Sequence, residues 1–284
     1  MILLTGATGK TGGETAKALA ARGVKARVLV RDPAKGAALQ ALGHEIAVGD
    51  ASDAASVKKA LAGVERILIL LPNSQQQEAM EKQLTDLAKQ SGVKHVVKMS
   101  SMEAMASATT PIPMAHWAVE EHIRRSGLAW TMVKPNFFMQ NLLGSAGSIK
   151  ANKSFSLPFG NGRTAMMDAR DIGAATAEVL AGKGHENRSY EITGPELLTF
   201  HEAAERFSAA LGTKITYVPA DPAVFMEIMK KVLPNEWHRN AVGQLFREIA
   251  EGGLNHTTQD FRKLTGRDPI SLTQFVRDHA QLFQ

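Results

Sequence analysis

Short apolar runs alternate with longer amphipathic segments through the first half of the chain. Residues 2–4, 26–30, 45–48, 66–71, 95–99 and 130–136 read as strands, since each is brief and mostly apolar, and four of the six are closed by Gly, Pro, Ser or a charged residue. The segments between them, at 14–21, 34–42, 56–61, 74–90 and 114–125, carry helical periodicity. The run at 66–71 is almost wholly apolar, as the buried centre of a parallel sheet requires, and Pro72 terminates it. Regular strand–helix alternation predicts an α/β fold of the Rossmann type. This is a doubly wound parallel sheet that binds its ligands beyond the carboxyl ends of the strands.

The second half departs from that rhythm. Residues 153–162 read as a hairpin or loop, 163–167 and 189–192 as short strands, 170–180 as a helix and 214–218 as another strand. Thr199-Phe200-His201-Glu202 is a capping box that opens a helix running to 211. Beyond Pro219 the pattern is helical, at 223–232, 236–251, 260–264 and 271–282. The expected organisation is a dinucleotide-binding core over 1–150. Residues 151–284 form a mixed region that completes the core and builds a smaller, mainly helical subdomain on the substrate side. Asp171 is read as the N-cap of the 170–180 helix, with Asp168 ordering the connection.

Candidate chemistry lies at the strand ends. Gly6-Ala7-Thr8-Gly9-Lys10-Thr11-Gly12 joins the first strand to the first helix, and glycines in such a turn let backbone N–H groups approach a pyrophosphate at a helix N-terminus. Its spacing, G-x-x-G-x-x-G, differs from the commoner G-x-G-x-x-G. The second strand ends in Arg31, with Lys35 four residues on, where an NAD site would usually carry Asp or Glu. A guanidinium can grip a 2′-phosphate in a forked geometry, so Arg31 points to NADP, although a solvated strand end would look the same. Asp50 either accepts from an adenine amino group or caps a turn. Leu71 and Pro72, at the end of the fourth strand, and Lys134-Pro135-Asn136, at the end of the sixth, complete the expected cofactor edge. Residues 102–113 read as an irregular loop able to close over the nicotinamide, and large apolar residues at 137–143 serve either a substrate pocket or the core.

Composition narrows the function classes. The 284 residues contain no cysteine, which excludes disulfides, thiol catalysis and zinc–thiolate sites. The 33 basic against 28 acidic side chains are dispersed, so the formal charge of +5 implies weak anion attraction and not nucleic-acid binding. No long apolar run or leader-like start is apparent, and a cytoplasmic protein without membrane contact is expected.

Taken together, the glycine turn, Val28-Leu29-Val30-Arg31-Asp32, Lys134-Pro135-Asn136 through Asn141, Asp168-Ala169-Arg170-Asp171-Ile172 and Tyr190-Glu191-Ile192-Thr193-Gly194-Pro195-Glu196 resemble the NmrA-like branch of the atypical short-chain dehydrogenases/reductases. The resemblance covers most of the chain and is diffuse over the last sixty residues. It implies an NADP(H)-binding Rossmann domain with a small carboxyl-terminal domain, and no single reaction. Members include NADPH-dependent quinone and dye reductases, as well as catalytically silent NADP sensors that contact regulatory proteins.

The usual Tyr-x-x-x-Lys pair of short-chain dehydrogenases is missing. Four residues after Tyr190 and Tyr217, the two tyrosines, stand Gly194 and Asp221. The resemblance places His116 where some reductases carry an active-site lysine, with Ile112 at the lost tyrosine position. His116 can relay a proton or bond ribose or substrate, or it can be a packing residue; Ser100 occupies the usual serine position. The expected activity is NADPH-dependent reduction of a quinone or similar planar acceptor, in which charge delocalises and alignment does much of the work. The rival reading is an NADP(H)-sensing protein with a regulatory partner. A homodimer is compatible with both.

Overall fold

A computed structural model of the chain describes residues 1–284. From the amino end, β1 (Ile2–Leu4) passes through the glycine turn into α1 (Lys10–Ala21). Four similar pairs follow: β2 (Ala26–Val30) with α2 (Pro33–Ala41), β3 (Glu45–Val48) with α3 (Ala54–Ala60), β4 (Arg66–Ile69) with α4 (Gln77–Gln90), and β5 (His95–Met99) with α5 (Pro111–Arg125). β6 (Ala129–Pro135) leads through a 3-10 segment, Met139–Ser145, to α6 (Ala146–Asn152), β7 (Ser154–Leu157), β8 (Arg163–Thr164), α7 (Ala169–Ala181) and β9 (Arg188–Ile192). The remainder comprises β10 (Leu198–Thr199), α8 (Phe200–Leu211), β11 (Thr216–Pro219), α9 (Pro222–Met229), α10 (Glu236–Ala250), α11 (Asp260–Thr265), α12 (Leu272–Asp278) and α13 (Ala280–Phe283).

The central sheet has seven strands in the order β3-β2-β1-β4-β5-β6-β9, all parallel. Strand alternation splits its side chains between two cores. Ile2, Leu4, Val28, Val30, Leu68, Val97 and Val133 face one core with Leu19 of α1 and Ile172 of α7. Leu3, Leu29, Ile67, Ile69, Val96 and Met132 face the other, with Val57 of α3, Leu84 of α4 and Val119 of α5. Leu3, Leu4, Leu19 and Leu61 retain no exposure, and burying each contributes about 1.5–3 kcal/mol. The chain winds outward from β1 to β3 and then returns to lay β4 on the other side of β1. The switch point therefore falls between the carboxyl ends of β1 and β4, where a doubly wound sheet opens its ligand crevice.

A third core lies beyond the carboxyl edge and is rich in aromatics. Phe155, Phe159, Phe200, Phe207, Phe275 and Phe283 are fully buried in it, with Phe159 stacked on Phe200 at 4.3 Å between ring centroids. This region is not purely helical. Residues 154–157, read from sequence as part of a hairpin or loop, pair in parallel with β11, a partner some sixty residues later that local pattern cannot reveal. The capping roles of two aspartates are also exchanged. Asp168 is the N-cap of α7, accepting from the Arg170 amide at 2.8 Å, whereas buried Asp171 accepts from the Arg267 guanidinium (2.5 Å) and the Ile270 amide (2.6 Å). The expected helix at 271–282 is interrupted at His279, whose ring nitrogen bonds the Phe275 carbonyl.

Candidate functional site

The glycine turn lies against the end of β4, at the switch point. Thr5 Oγ1 donates to the Leu68 carbonyl at 2.9 Å and accepts from the Leu70 amide at 2.9 Å, which fixes the turn to the neighbouring strand. Gly6 has φ +68°, and a Cβ there would stand 2.4 Å from the Leu70 oxygen. A Cβ on Gly12 would lie 2.3 Å from the Gly6 oxygen, so the turn closes on α1 only with glycine at both places. Gly9 is the N-cap of α1 and supplies no side chain to the first-turn N–H groups. An uncapped helix N-terminus inside a glycine cradle suits an anionic group, and the pyrophosphate of a dinucleotide fits it. Thr8, Gly9 and Lys10 are exposed along it, while Thr11 is buried. Lys10 also lines a cavity of about 290 Å³ with Glu14, Gln140 and Arg170.

At the ends of β2 and β3, Arg31 and Lys35 are exposed, and Asp32 caps α2 through the Ala34 amide. Asp50 orders its own turn, accepting from the Ser52 amide and hydroxyl, both at 2.8 Å. Those bonds, with Arg31 nearby, hold its carboxyl below the ordinary range. Leu71 is buried, with its amide bonded to Glu81 at 3.2 Å, and Pro72 is exposed.

A polar network lies under the ends of β5 and β6. Lys98 shares its sheet face with Val96, and Lys134 shares its face with Met132, so both ammonium groups point into the layer of α4 and α5. Lys98 and Glu81 are both without solvent exposure, and their charged atoms approach to 2.9 Å. Lys134 Nζ donates to the Ala104 carbonyl at 2.6 Å and stands 3.6 Å from Glu120. Glu120, fully buried, also accepts from the Ser100 hydroxyl at 2.5 Å and from Arg124 at 2.6 Å. One turn before Glu120 on the same helical face sits His116, and one turn before that Ile112, both buried. Burial, followed by the charges of Lys98 and Lys134, holds the His116 imidazole well below its ordinary pKa. It is therefore a neutral ring at physiological pH, able to offer one N–H and one lone pair. Its Nδ1 has no partner, and neither has Asn136 Nδ2; buried groups in that state fit a polar ligand laid across the strand ends. Asn136 Oδ1 is occupied, accepting from Thr164 and from the Phe137 amide, while Pro135 lends its carbonyl to the Met102 amide.

Ser100, Lys134 and His116 thus come together, whereas Arg31, Lys35 and Asp50 stand at the far end of the same sheet edge. Sequence reasoning passed over Lys98, Glu81, Glu120 and Glu103. A charged residue inside Val96-Val97-Lys98-Met99 was the available signal for Lys98, since a lysine in a central strand needs a buried partner. Residues 100–110 cross the edge as a loop pinned by the Lys134–Ala104 bond and by Thr110 donating to Glu248 of α10 at 2.8 Å. Between the pins, a cavity of about 360 Å³ separates the loop from the end of α10. Pro111 begins α5, so the last three residues of the expected loop are helical.

The doubly wound sheet and its glycine cradle define a dinucleotide-type Rossmann protein. The NmrA-like family model matches residues 1–267, and the chain belongs to that family. Among curated relatives, the NAD(P)H azoreductase of Xenophilus azovorans is 34% identical over 289 residues, covering 100% of this chain and 99% of that protein. The crystal structure of the NADPH-dependent quinone oxidoreductase of Escherichia coli complexed with NADPH superimposes with a TM-score of 0.87 at 28% identity, with 100% of both chains covered. Triphenylmethane reductase from Citrobacter sp. gives a TM-score of 0.87 at 24% identity over 99% of each chain, a likeness of fold.

Proposed function

We propose that this chain is an NADPH-dependent reductase that passes a hydride to a quinone or a similar planar, conjugated acceptor. The observation that carries the reading is the uncapped N-terminus of α1 within the glycine cradle, at the switch point of the sheet. Full-length similarity to a NAD(P)H azoreductase and to a quinone oxidoreductase solved with NADPH supports both the cofactor class and the acceptor class. In this reading the α1 N-terminus holds the pyrophosphate and Arg31 the 2′-phosphate. His116 and Lys134 hold the nicotinamide ribose, the latter with the ammonium N–H that its Ala104 bond leaves over. When bound, the cofactor supplies the hydride.

The protein contributes alignment. The 100–110 loop and the end of α10 flank an open, mostly polar cavity of about 360 Å³, within the size range of small-molecule sites. The test is NADPH and NADH oxidation against a panel of quinones, azo dyes and triarylmethane dyes, with nucleotide affinity measured separately. Turnover with at least one acceptor class and a preference for NADPH is expected. Tight NADPH binding with no acceptor consumed would sink the reductase reading and leave nucleotide sensing in its place.

A further inference from the structure

Quinone reduction needs a proton as well as a hydride, and with Lys134 assigned to the ribose the reading above leaves its donor open. The tyrosine–lysine pair is missing, and His116 is held neutral, so its N–H is a poor acid. Glu103 is the one ionisable side chain on the loop between Ser100 and Thr110. It lies between Ser101 and Ala104, whose carbonyl is fixed by Lys134, and it forms the wall of the 360 Å³ cavity opposite Glu248 and Glu251. It is half-buried and open to the cavity.

We propose that Glu103 is the proton donor of the reaction, acting from the cavity wall on the acceptor atom that becomes electron-rich when hydride arrives. The inference rests on the reductase reading above. The nicotinamide C–H bond breaks and its electron pair forms a new bond on the acceptor. The acceptor oxygen then takes the proton as the Glu103 O–H bond breaks, so a quinone becomes a hydroquinone and NADPH becomes NADP⁺. The Glu103 carboxylate regains its proton from water at the cavity mouth.

The surroundings of Glu103 favour the acid form. Burial pushes its carboxyl up to about 7, and Glu248 on α10 pushes in the same direction. Its own backbone amide, the nearby Ser101 hydroxyl and Lys134 on β6 pull the other way without overcoming burial. Ser101 Oγ has no partner in hydrogen-bonding geometry, so its influence is at a distance. A carboxylic acid that titrates near the working pH is well matched to general acid catalysis.

Acceptors that differ in proton demand provide the test. A quinone takes hydride and a proton, whereas a triarylmethane cation takes hydride at its central carbon and becomes neutral with no proton added. In Glu103→Gln the ratio of quinone to dye turnover should fall about 100-fold, and Glu103→Asp should recover part of it. The wild-type quinone rate should decline as pH rises through about 7, and Glu103→Gln should lack that limb. Independently of turnover, infrared titration of the protein should show a carboxylic-acid carbonyl band that disappears near neutral pH and is absent from Glu103→Gln. An unchanged ratio, an equal loss of both activities, or no such band overturns the assignment. A wild-type protein that reduces neither acceptor fails at the reductase reading instead, and the role of Glu103 falls with it.

Discussion

Replacing Lys98 by Met tests how the charges beneath the site are held. Lys98 and Glu81 have no solvent exposure and meet at 2.9 Å, so neither is screened appreciably by salt. Removing the ammonium leaves the Glu81 carboxylate with the Leu71 amide at 3.2 Å and the Gln77 side chain at 3.5 Å as its only donors. Stranding one partner of a buried pair costs about 3–5 kcal/mol, and that is the expected loss of unfolding free energy in denaturant titrations near neutral pH. Burial already raises the Glu81 carboxyl despite the lysine, and the substitution drives it higher. The sign of the pH dependence follows. Below about pH 4, Glu81 is protonated in the folded and unfolded chains alike and the wild type is left with a lone buried ammonium, so the penalty should vanish or reverse there. As pH rises through the window up to the raised folded value, the folded state must either keep a proton or bury a lone charge, and the penalty grows to its full size. Adding Glu81→Gln, which keeps an acceptor for the Leu71 amide, should return most of the lost stability. A penalty below about 1 kcal/mol, or one equal at both ends of the pH range, would refute the reasoning.

Three further outcomes follow from the site. Gly12→Ala sets a Cβ against the Gly6 oxygen, so the turn must open; dinucleotide affinity measured by calorimetry should fall by more than about tenfold, with stability lower by about 1–3 kcal/mol. Arg31→Ala should weaken NADPH binding on the order of tenfold or more while changing NADH binding little; equal effects on the two would reject the phosphate role. Buried His95 and His116 both have imidazole pKa values lowered by desolvation, so folding disfavours their protonation. Stability is then complete above the ordinary histidine value of about 6.5 and is lost as pH falls below it, and His116→Gln should flatten part of that decline in the melting temperature.

The sheet was legible because its information is local. Strands 2–4, 26–30 and 95–99 announce themselves by short apolar runs, and the helices between them by their period, so a doubly wound fold could be read before any contact was known. The glycine turn was legible for a related reason, since its φ and close contacts admit no other residue at Gly6. What stayed hidden depends on partners distant in sequence. β7 finds β11 some sixty residues away, and Asp171 is drawn from a capping role by Arg267, while Asp168 caps in its place. The same rule governs the chemistry. Glu103 is an unremarked acid in an irregular loop until α10, arriving from a position nearly 150 residues later, places Glu248 across an open cavity from it. The glycine cradle is thus written in seven consecutive residues. The cavity beside Glu103 arises where the loop after β5 meets a late helix, so its lining cannot be read from any one stretch of the chain.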